Sequence, residues 1–124
     1  MHQFDLKDRT AIITGGAQGF GFNIAKKFLN SGANVIIWDI DEKELQNAVR
    51  EINNQKLNYN LVDVSNFEEV NKAVIEINKS SNIDILVNNA GITGPTAELW
   101  NYSINDWNKV VEINLNGTFN CCKS

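Results

Sequence analysis

The chain has 124 residues, of which 43% are hydrophobic and 21% charged, and its formal net charge is −4. This composition is ordinary for a globular protein, and the length suffices for one domain that buries roughly two-thirds of its unfolded surface. Basic residues form no cluster and no apolar run approaches the ~18 residues of a membrane span, which argues against nucleic acid and membranes as partners.

The N-terminus, the histidine and the cysteines limit the compartment and the chemistry. The first eight residues have no apolar core of the signal-peptide type. Cys121 and Cys122 are adjacent, which is a poor basis for a disulfide framework, and His2 is the only histidine. We therefore predict a cytoplasmic protein without a metal site, in which His2 is a solvated terminal residue.

A glycine-rich turn with the sequence TGGAQGFG spans residues 14–21. The apolar run at residues 11–13 predicts a buried strand before it, and helical spacing after it predicts a helix over Gly19–Asn30. Glycines let backbone N–H groups approach a ligand, and a helix that begins here points its free N–H groups and positive dipole end at that ligand. The combination suits a pyrophosphate, although a tight turn can use glycine for steric reasons alone.

Asp39 ends the next apolar run, about 20 residues after the turn, as the dinucleotide-binding pattern requires. A carboxylate at this place can accept hydrogen bonds from an adenosine ribose and repels a 2′-phosphate. The nearest basic residue is Lys43. The pattern favours NAD over NADP. The structural alternative is that Asp39 only caps a helix, a role that Asp41 could fill instead.

The rest of the chain alternates predicted strands with predicted helices. Apolar runs at residues 35–38 and 83–87 and a more polar stretch at residues 57–62, as expected near a sheet edge, predict three further strands. Each is followed by helical spacing. Four strand–helix repeats predict an α/β fold of the Rossmann type, a doubly wound parallel sheet. The expected strand order is 3-2-1-4, with a ligand crevice between strands 1 and 4 at their carboxyl ends.

Small and polar residues mark the ends of these helices. Gly32 suits the left-handed position after the first helix, Asp41 can cap the second, and Ser65 or Asn66 can cap the third. Ser103 is expected to cap one last helix. The apolar residues of that helix cover more than one face, which predicts that it is buried from two sides.

Four motifs in this order resemble the short-chain dehydrogenase/reductase family. They are the turn at residues 14–21, the pair Asp63-Val64, the run NNAG at residues 88–91, and Asn114 within the triplet INL. The resemblance covers essentially the whole chain. It implies an oxidoreductase that transfers hydride between a secondary alcohol or ketone and a nicotinamide cofactor. Taken alone, Asp63 could simply cap a helix, and the two asparagines of NNAG could simply form a turn.

The resemblance also implies roles for individual residues. Asn114 would be the catalytic asparagine on a helix, which helps to hold a proton-relay water. The NAD cofactor would be bound through its pyrophosphate by Gly15, Gln18, Gly19, Phe20 and Gly21, through its ribose by Asp39 and Ile40, through its adenine by Asp63 and Val64, and along its length by Asn89, Ala90 and Gly91. Residues 38–41 and 91–95 are in addition similar to members that act on sugar acids or are labelled 3-oxoacyl reductases.

The family's other catalytic residues are a serine after the fifth strand and a Tyr-x-x-x-Lys motif. Asp63 stands four residues after Tyr59, and Asp106 stands four residues after Tyr102, so neither tyrosine has the required lysine. We therefore expect residues 1–124 to be the NAD-binding half of such an enzyme, truncated before strand 5 and inactive alone. The alternative is a non-catalytic dinucleotide-binding or interaction module. A methyltransferase or flavodoxin-like domain fits Asp39 and the NNAG run less well.

Strand 4 and the last helix suggest that copies of the chain associate. Strand 4 would be an edge of the four-stranded sheet, and an apolar edge is a site for pairing with another chain. The last helix would have one apolar face without a cover. Both features predict a homo-oligomer.

Overall fold

The computed structural model describes residues 4–124 and contains one parallel sheet in the strand order β3-β2-β1-β4. The Rossmann-type fold and the strand order predicted from the sequence are confirmed. Ile12 at the centre of β1 lies opposite Ile36 of β2 on one side and Leu86 of β4 on the other. His2 lies outside the described residues. The strands are β1 (Thr10–Thr14), β2 (Asn34–Asp39), β3 (Leu57–Leu61) and β4 (Ile85–Val87).

Helices follow every strand. None of the helices in residues 4–124 is long and apolar enough to cross a membrane. The prediction of one continuous last helix is wrong in one respect, because a π turn at Glu112–Asn116 interrupts the helix. The helices are α1 (Gly19–Asn30), α2 (Glu42–Ile52), α3 (Phe67–Asn78), α4 (Ile104–Val111) and α5 (Gly117–Lys123), and a 3₁₀ turn covers Leu99–Asn101.

The predicted caps are found where a polar side chain accepts from a free backbone N–H group of the first turn. Asp41 accepts from the amide of Glu44 at 3.1 Å and begins α2. Asn66, and not Ser65, begins α3, and Ser103 begins α4. Gly32 has a φ of +94° after the end of α1, which is the left-handed conformation expected for it.

Strand β4 is shorter than the predicted run at residues 83–87. Asp84 accounts for the difference, since its carboxylate accepts the Thr10 amide at 2.9 Å and its own amide donates to the Thr10 carbonyl at 2.9 Å. The Asp84 carboxylate thus takes the place of a backbone acceptor at this end of the strand. The regular hydrogen-bond ladder between β1 and β4 begins only at Ile85. Arg9 contacts the same carboxylate at 3.6 Å.

Two apolar layers cover the two faces of the sheet. The first contains α1 and α2, with Ile13, Val35 and Ile37 of the sheet fully buried beneath them. The second contains α3 and α5 and includes Trp38 and Cys121. The two layers hold the carboxyl ends of all four strands at one edge, and the loops that follow the strands meet there.

Candidate functional site

A cleft of about 960 Å³ lies at the carboxyl edge of the sheet. The loops after all four strands line it on one side, and α4 and the beginning of the π turn line it on the other. All the predicted cofactor residues except Gly21 lie in its wall. The lining residues are Gly15, Gln18, Gly19, Phe20, Trp38, Asp39, Ile40, Val62, Asp63, Val64, Ser65, Asn89, Ala90, Gly91, Ile92, Asn105, Asn108, Lys109, Glu112 and Ile113.

The glycine turn presents the N-terminus of α1 to this cleft. Gly15 and Gly19 have φ values of +62° and +59°, which other residues rarely adopt. A Cβ on Gly19 would meet nothing within 4 Å, so the space beside it is open to a ligand. Gln18 precedes the helix with an extended backbone and makes no side-chain cap. The first N–H groups of α1 are therefore not capped by Gln18, and together with the helix dipole they suit an anion.

Gly21 was predicted to line the pyrophosphate but is not among the residues that form the cleft wall. It lies behind the turn, where a Cβ would overlap the carbonyl oxygen of Gly15 and come within 2.6 Å of Nδ2 of Asn89. That Nδ2 donates to the same Gly15 carbonyl at 3.0 Å. Gly21 thus allows α1 to pass close enough for the turn after β1 and the loop after β4 to be joined.

Thr14 ties the ends of β1 and β4 together. Its hydroxyl oxygen accepts from the amides of Asn89 at 3.0 Å and Ala90 at 2.9 Å, and its hydroxyl donates to the carbonyl of Val87 at 3.4 Å. The side chain is 1% exposed. The site residues expected from the sequence did not include Thr14. A hydroxyl residue directly after the apolar run at residues 11–13 was the available signal.

Asp39 contacts the glycine turn rather than capping a helix. One carboxylate oxygen accepts from the amide of Ala17 at 3.3 Å, and the other accepts from the amides of Ile40 at 2.8 Å and Asp41 at 3.4 Å. The cap of α2 is Asp41, as described above. Asp39 lines the cleft, and the exposed Ile40 stands beside it.

Asp63 and Val64 form the wall of the cleft beyond β3. Asp63 accepts from the amide of Ser65 at 2.9 Å and from its hydroxyl at 2.6 Å, so it stabilises a turn before α3 and does not cap that helix. In the loop after β4, Asn89 and Ala90 are held by Thr14. Asn88 points away, with its Nδ2 3.4 Å from Sγ of Cys122.

Asn114 lies in the π turn and outside the cleft wall. Its Oδ1 accepts from the amide of Ile92 at 2.8 Å, and its Nδ2 donates to the carbonyl of Ile92 at 2.8 Å. A Cβ on Gly91 would stand 3.2 Å from the same Oδ1. The Asn114 side chain therefore fixes the loop after β4, and its predicted role in a proton relay stays a prediction. Insertions of this kind in helices often mark functional positions.

The charged groups of the cleft are distributed unevenly. Asp39, Asp63 and Glu112 are acidic, and Lys109 is basic. The two aspartates follow β2 and β3, where they can accept hydrogen bonds from hydroxyl or amino groups. The turn after β1 offers backbone N–H groups without an acidic side chain. The cleft thus has one end suited to phosphate and another suited to a ribose and a base.

The fold and this cleft define a Rossmann-type α/β protein. A family model described as short chain dehydrogenase matches residues 9–124, and the chain belongs to that family. Members of the family bind NAD or NADP. The resemblance stated from four short motifs is therefore confirmed.

Proteins similar to this chain include two curated relatives and a solved structure. A 3-oxoacyl-[acyl-carrier-protein] reductase of Chlamydia muridarum is 38% identical over 96% of this chain and 49% of its own length. A 2-dehydro-3-deoxy-L-rhamnonate dehydrogenase (NAD(+)) of a Sphingomonas species is 35% identical over 91% of this chain and 45% of its own. A 3-ketoacyl-(acyl-carrier-protein) reductase from Brucella melitensis, complexed with NADH, superposes with a TM-score of 0.90 at 31% identity, over 96% of this chain and 49% of that one. The chain spans about half the length of the curated relatives it matches.

Proposed function

We propose that this chain is the NAD-binding part of an oxidoreductase that transfers hydride between a secondary alcohol or ketone and nicotinamide. The observation that carries the proposal is the cleft itself, which joins the helix N-terminus of the glycine turn to the carboxylate of Asp39. Residues 1–124 are proposed as one NAD-binding Rossmann domain. The substrate class is left at alcohol or ketone, because the similar proteins carry different substrate names.

Asp39 supports NAD over NADP. The carboxylate is already oriented by three backbone amides, so it is held in place at the end of β2. A 2′-phosphate bound beside it would face a like charge, and Lys43 lies beyond the beginning of α2. The similar Sphingomonas protein is named an NAD(+) dehydrogenase and the similar Brucella protein is complexed with NADH, which agrees with this choice.

The chain's own residues would bind and orient the cofactor. The backbone of Gly15, Gln18 and Gly19 would hold the phosphates, and Phe20 and Gly21 would complete that turn. Asp39 would hold the ribose. Thr14 and Asn114 keep the loop after β4 in position, so Asn89 to Gly91 can lie along the cofactor. The nicotinamide supplies the hydride chemistry when the cofactor is bound.

The 124-residue chain by itself is proposed to bind the cofactor without turnover. Neither of its tyrosines is followed four residues later by lysine, so the chain lacks the Tyr-x-x-x-Lys motif that the family uses for proton transfer. The same observation favours the second candidate, a non-catalytic dinucleotide-binding module. Steady oxidation of an alcohol with NAD by the purified chain would contradict both expectations for the isolated chain.

Titration with NADH and NADPH tests the proposal. Tryptophan emission should change as NADH binds, since the buried Trp38 lines the cleft, and calorimetry provides a second signal. Asp39→Asn should lower the affinity for NADH about tenfold and narrow the preference over NADPH, because the charged acceptor is lost. Asp41→Asn is the matched control. It lies outside the cleft wall and asparagine keeps the helix cap, so neither affinity should change.

Two results would count against this assignment. If neither NADH nor NADPH changes the tryptophan emission or produces heat, the cleft of this chain does not bind a dinucleotide. If NADPH binds more tightly than NADH and Asp39→Asn leaves that order unchanged, the cofactor choice is wrong while dinucleotide binding stands.

The homo-oligomer and the cytoplasmic location also remain proposals. Strand β4 is an edge of the four-stranded sheet, and α4 and α5 carry exposed apolar side chains that a second copy could cover. Cys121 and Cys122 are both free, which fits a reducing compartment.

A further inference from the structure

Asn120 is a buried polar residue of α5 that none of the sequence motifs includes. It is 7% exposed, and its Nδ2 donates to the carbonyl oxygen of Val64 at 2.9 Å. The two residues are 56 positions apart in the chain. A buried amide that bonds a loop carbonyl over this separation fixes the loop relative to the helix, because either group left unpaired would cost free energy.

Gly117 of the same helix lies against the side chain of Val64. A Cβ on Gly117 would stand 2.7 Å from Cγ2 of Val64, closer than side chains can approach. The backbone of Gly117 is ordinary helix, with a φ of −59°. Glycine is therefore needed here for its small size, which lets α5 approach Val64, and not for its backbone conformation. Val64 is therefore held by α5 at two points, through its carbonyl and through its side chain.

Val64 belongs to the cleft wall beside Asp63. The Asp63 carboxylate is itself fixed by the amide and hydroxyl of Ser65. Val62, directly before this pair, donates its amide to the carbonyl of Asp39 at 3.1 Å. One side of the loop is thus joined to the end of β2, and the other is joined to α5 through Asn120.

The geometry points to Asn120 as a positioning residue that holds the Asp63–Val64 wall for the purine of the dinucleotide. This inference rests on the proposed function, since it concerns the base end of the same cleft. A carboxylate at Asp63 accepts a hydrogen bond from the amino group of adenine and repels the carbonyl that hypoxanthine has in the same place. Discrimination between these two bases depends on how firmly the wall is held.

Replacing the amide tests this role. In Asn120→Leu the side chain has similar size but donates no hydrogen bond to Val64. We expect the wild-type chain to bind NADH at least about fivefold more tightly than its hypoxanthine analogue, and the variant to bind both with similar affinity, since one hydrogen bond is worth about that factor. Cys121→Ala is the matched control, because it perturbs the same buried layer without touching the Val64 carbonyl, and its base preference should equal that of the wild type.

A ligand-free measurement separates this inference from the proposed function. Hydrogen exchange of the Ser65 amide, which bonds Asp63, should be about fivefold faster in Asn120→Leu, while amides of α1 keep their protection. Unchanged exchange at Ser65 together with an unchanged base preference would overturn the role of Asn120. Failure of the wild type to bind NADH would overturn the proposed function and the purine role, and the exchange measurement would still decide whether Asn120 holds the loop.

Gly117→Ala provides a second variant if Asn120→Leu does not fold. Alanine is more favourable than glycine within a helix, so the helix is not weakened. The added methyl group displaces Val64 instead, and the base preference should fall as in Asn120→Leu. If Gly117→Ala retains the wild-type preference and the wild-type exchange at Ser65, contact between α5 and Val64 does not position the wall.

Discussion

In the β1–α1–β2 part of the molecule both faces of the sheet are covered. In the α4–α5 segment only α5 has buried residues, and α4 has none. Ile13 and Ile37 are 0% exposed in the first region. In the second, Trp107 and Leu115 are 57% and 65% exposed. Both regions have apolar residues at regular spacing. The difference shows that such spacing produces a core only where a second element is present to cover it.

The cleft lies where these two regions meet. Its phosphate end is built on the buried strands, and the turn there is held by the Thr14 and Asp39 hydrogen bonds. Its other wall depends on hydrogen bonds from the less buried α4–α5 segment, such as those from Asn114 to Ile92 and from Asn120 to Val64. The phosphate end should therefore be more rigid, and the other wall should open at lower free energy.

The largest effect is expected for Gly21→Ala in the packed region. The new methyl group would overlap the Gly15 carbonyl and approach Asn89, so the turn must shift. The free energy of unfolding should fall by about 2–3 kcal/mol, and NADH binding should be lost. Chemical denaturation and calorimetry measure both quantities. Lys27→Ala, at an exposed position of α1, should change neither, and retained NADH affinity in Gly21→Ala would mean that this close approach does not set the turn.

Thr14→Val is expected to have the next largest effect. Valine has the same shape but leaves the amides of Asn89 and Ala90 without their acceptor, which should cost about 2 kcal/mol. Thr10→Val is a matched control in the same strand, because Thr10 pairs with Asp84 through backbone groups that valine keeps. Equal unfolding midpoints for the two variants in urea would contradict the role of the Thr14 hydroxyl.

The exposed region is tested by a double variant, Leu115→Lys with Phe119→Lys. If copies associate through this face, light scattering should show a concentration-dependent oligomer for the wild type and a monomer for the variant. Stability of the monomer should change by less than about 0.5 kcal/mol, since both side chains are exposed. Ile75→Lys, on the exposed side of α3, should leave association unchanged. A wild-type chain that stays monomeric at high concentration would contradict the proposed homo-oligomer.

The smallest effect concerns Cys121, which joins α5 to the second buried layer. Burial, and secondarily the neighbouring Cys122, raises the pKa of the Cys121 thiol from 9.0 to about 11. The folded state therefore disfavours the thiolate. The resulting stability is present below pH 9 and is lost as the pH rises from 9 towards 11. Between pH 9 and pH 11 the free energy of unfolding in urea should fall more steeply for the wild type than for Cys121→Ala. An equal fall in both proteins would contradict the raised pKa of Cys121. Cys122→Ala keeps the buried thiol and removes only the smaller cause of its raised pKa, so it should retain most of the wild-type decline.

The local sequence was sufficient for most of the architecture. Strand β2 and helix α1 were predicted nearly to their ends, because a continuous apolar run and a glycine stop depend only on neighbouring residues. The predictions were wrong at two places where distant groups interfere. Asp84 shortens β4 by bonding Thr10, and the last helix is interrupted by a π turn at Asn114, whose side chain bonds Ile92.

The site divides in the same way. The glycine turn, Asp39 and the NNAG run were visible in the sequence, because each combines a special residue type with the end of a strand. The bonding roles of the Thr14 and Asn120 side chains were not, since an ordinary threonine or asparagine gains such a role only from the partner it meets.

The sequence alone thus determined the family, the strand order and the place of the cleft, because periodicity, glycines and caps act over a few residues. The tertiary structure decided which polar groups meet across that cleft. Gly21 became a point of close approach, Asp39 a support of the glycine turn, and Asn120 an anchor for Val64. The physical reason is that hydrogen bonds between residues distant in the chain depend on the packing of whole elements, which local patterns do not encode.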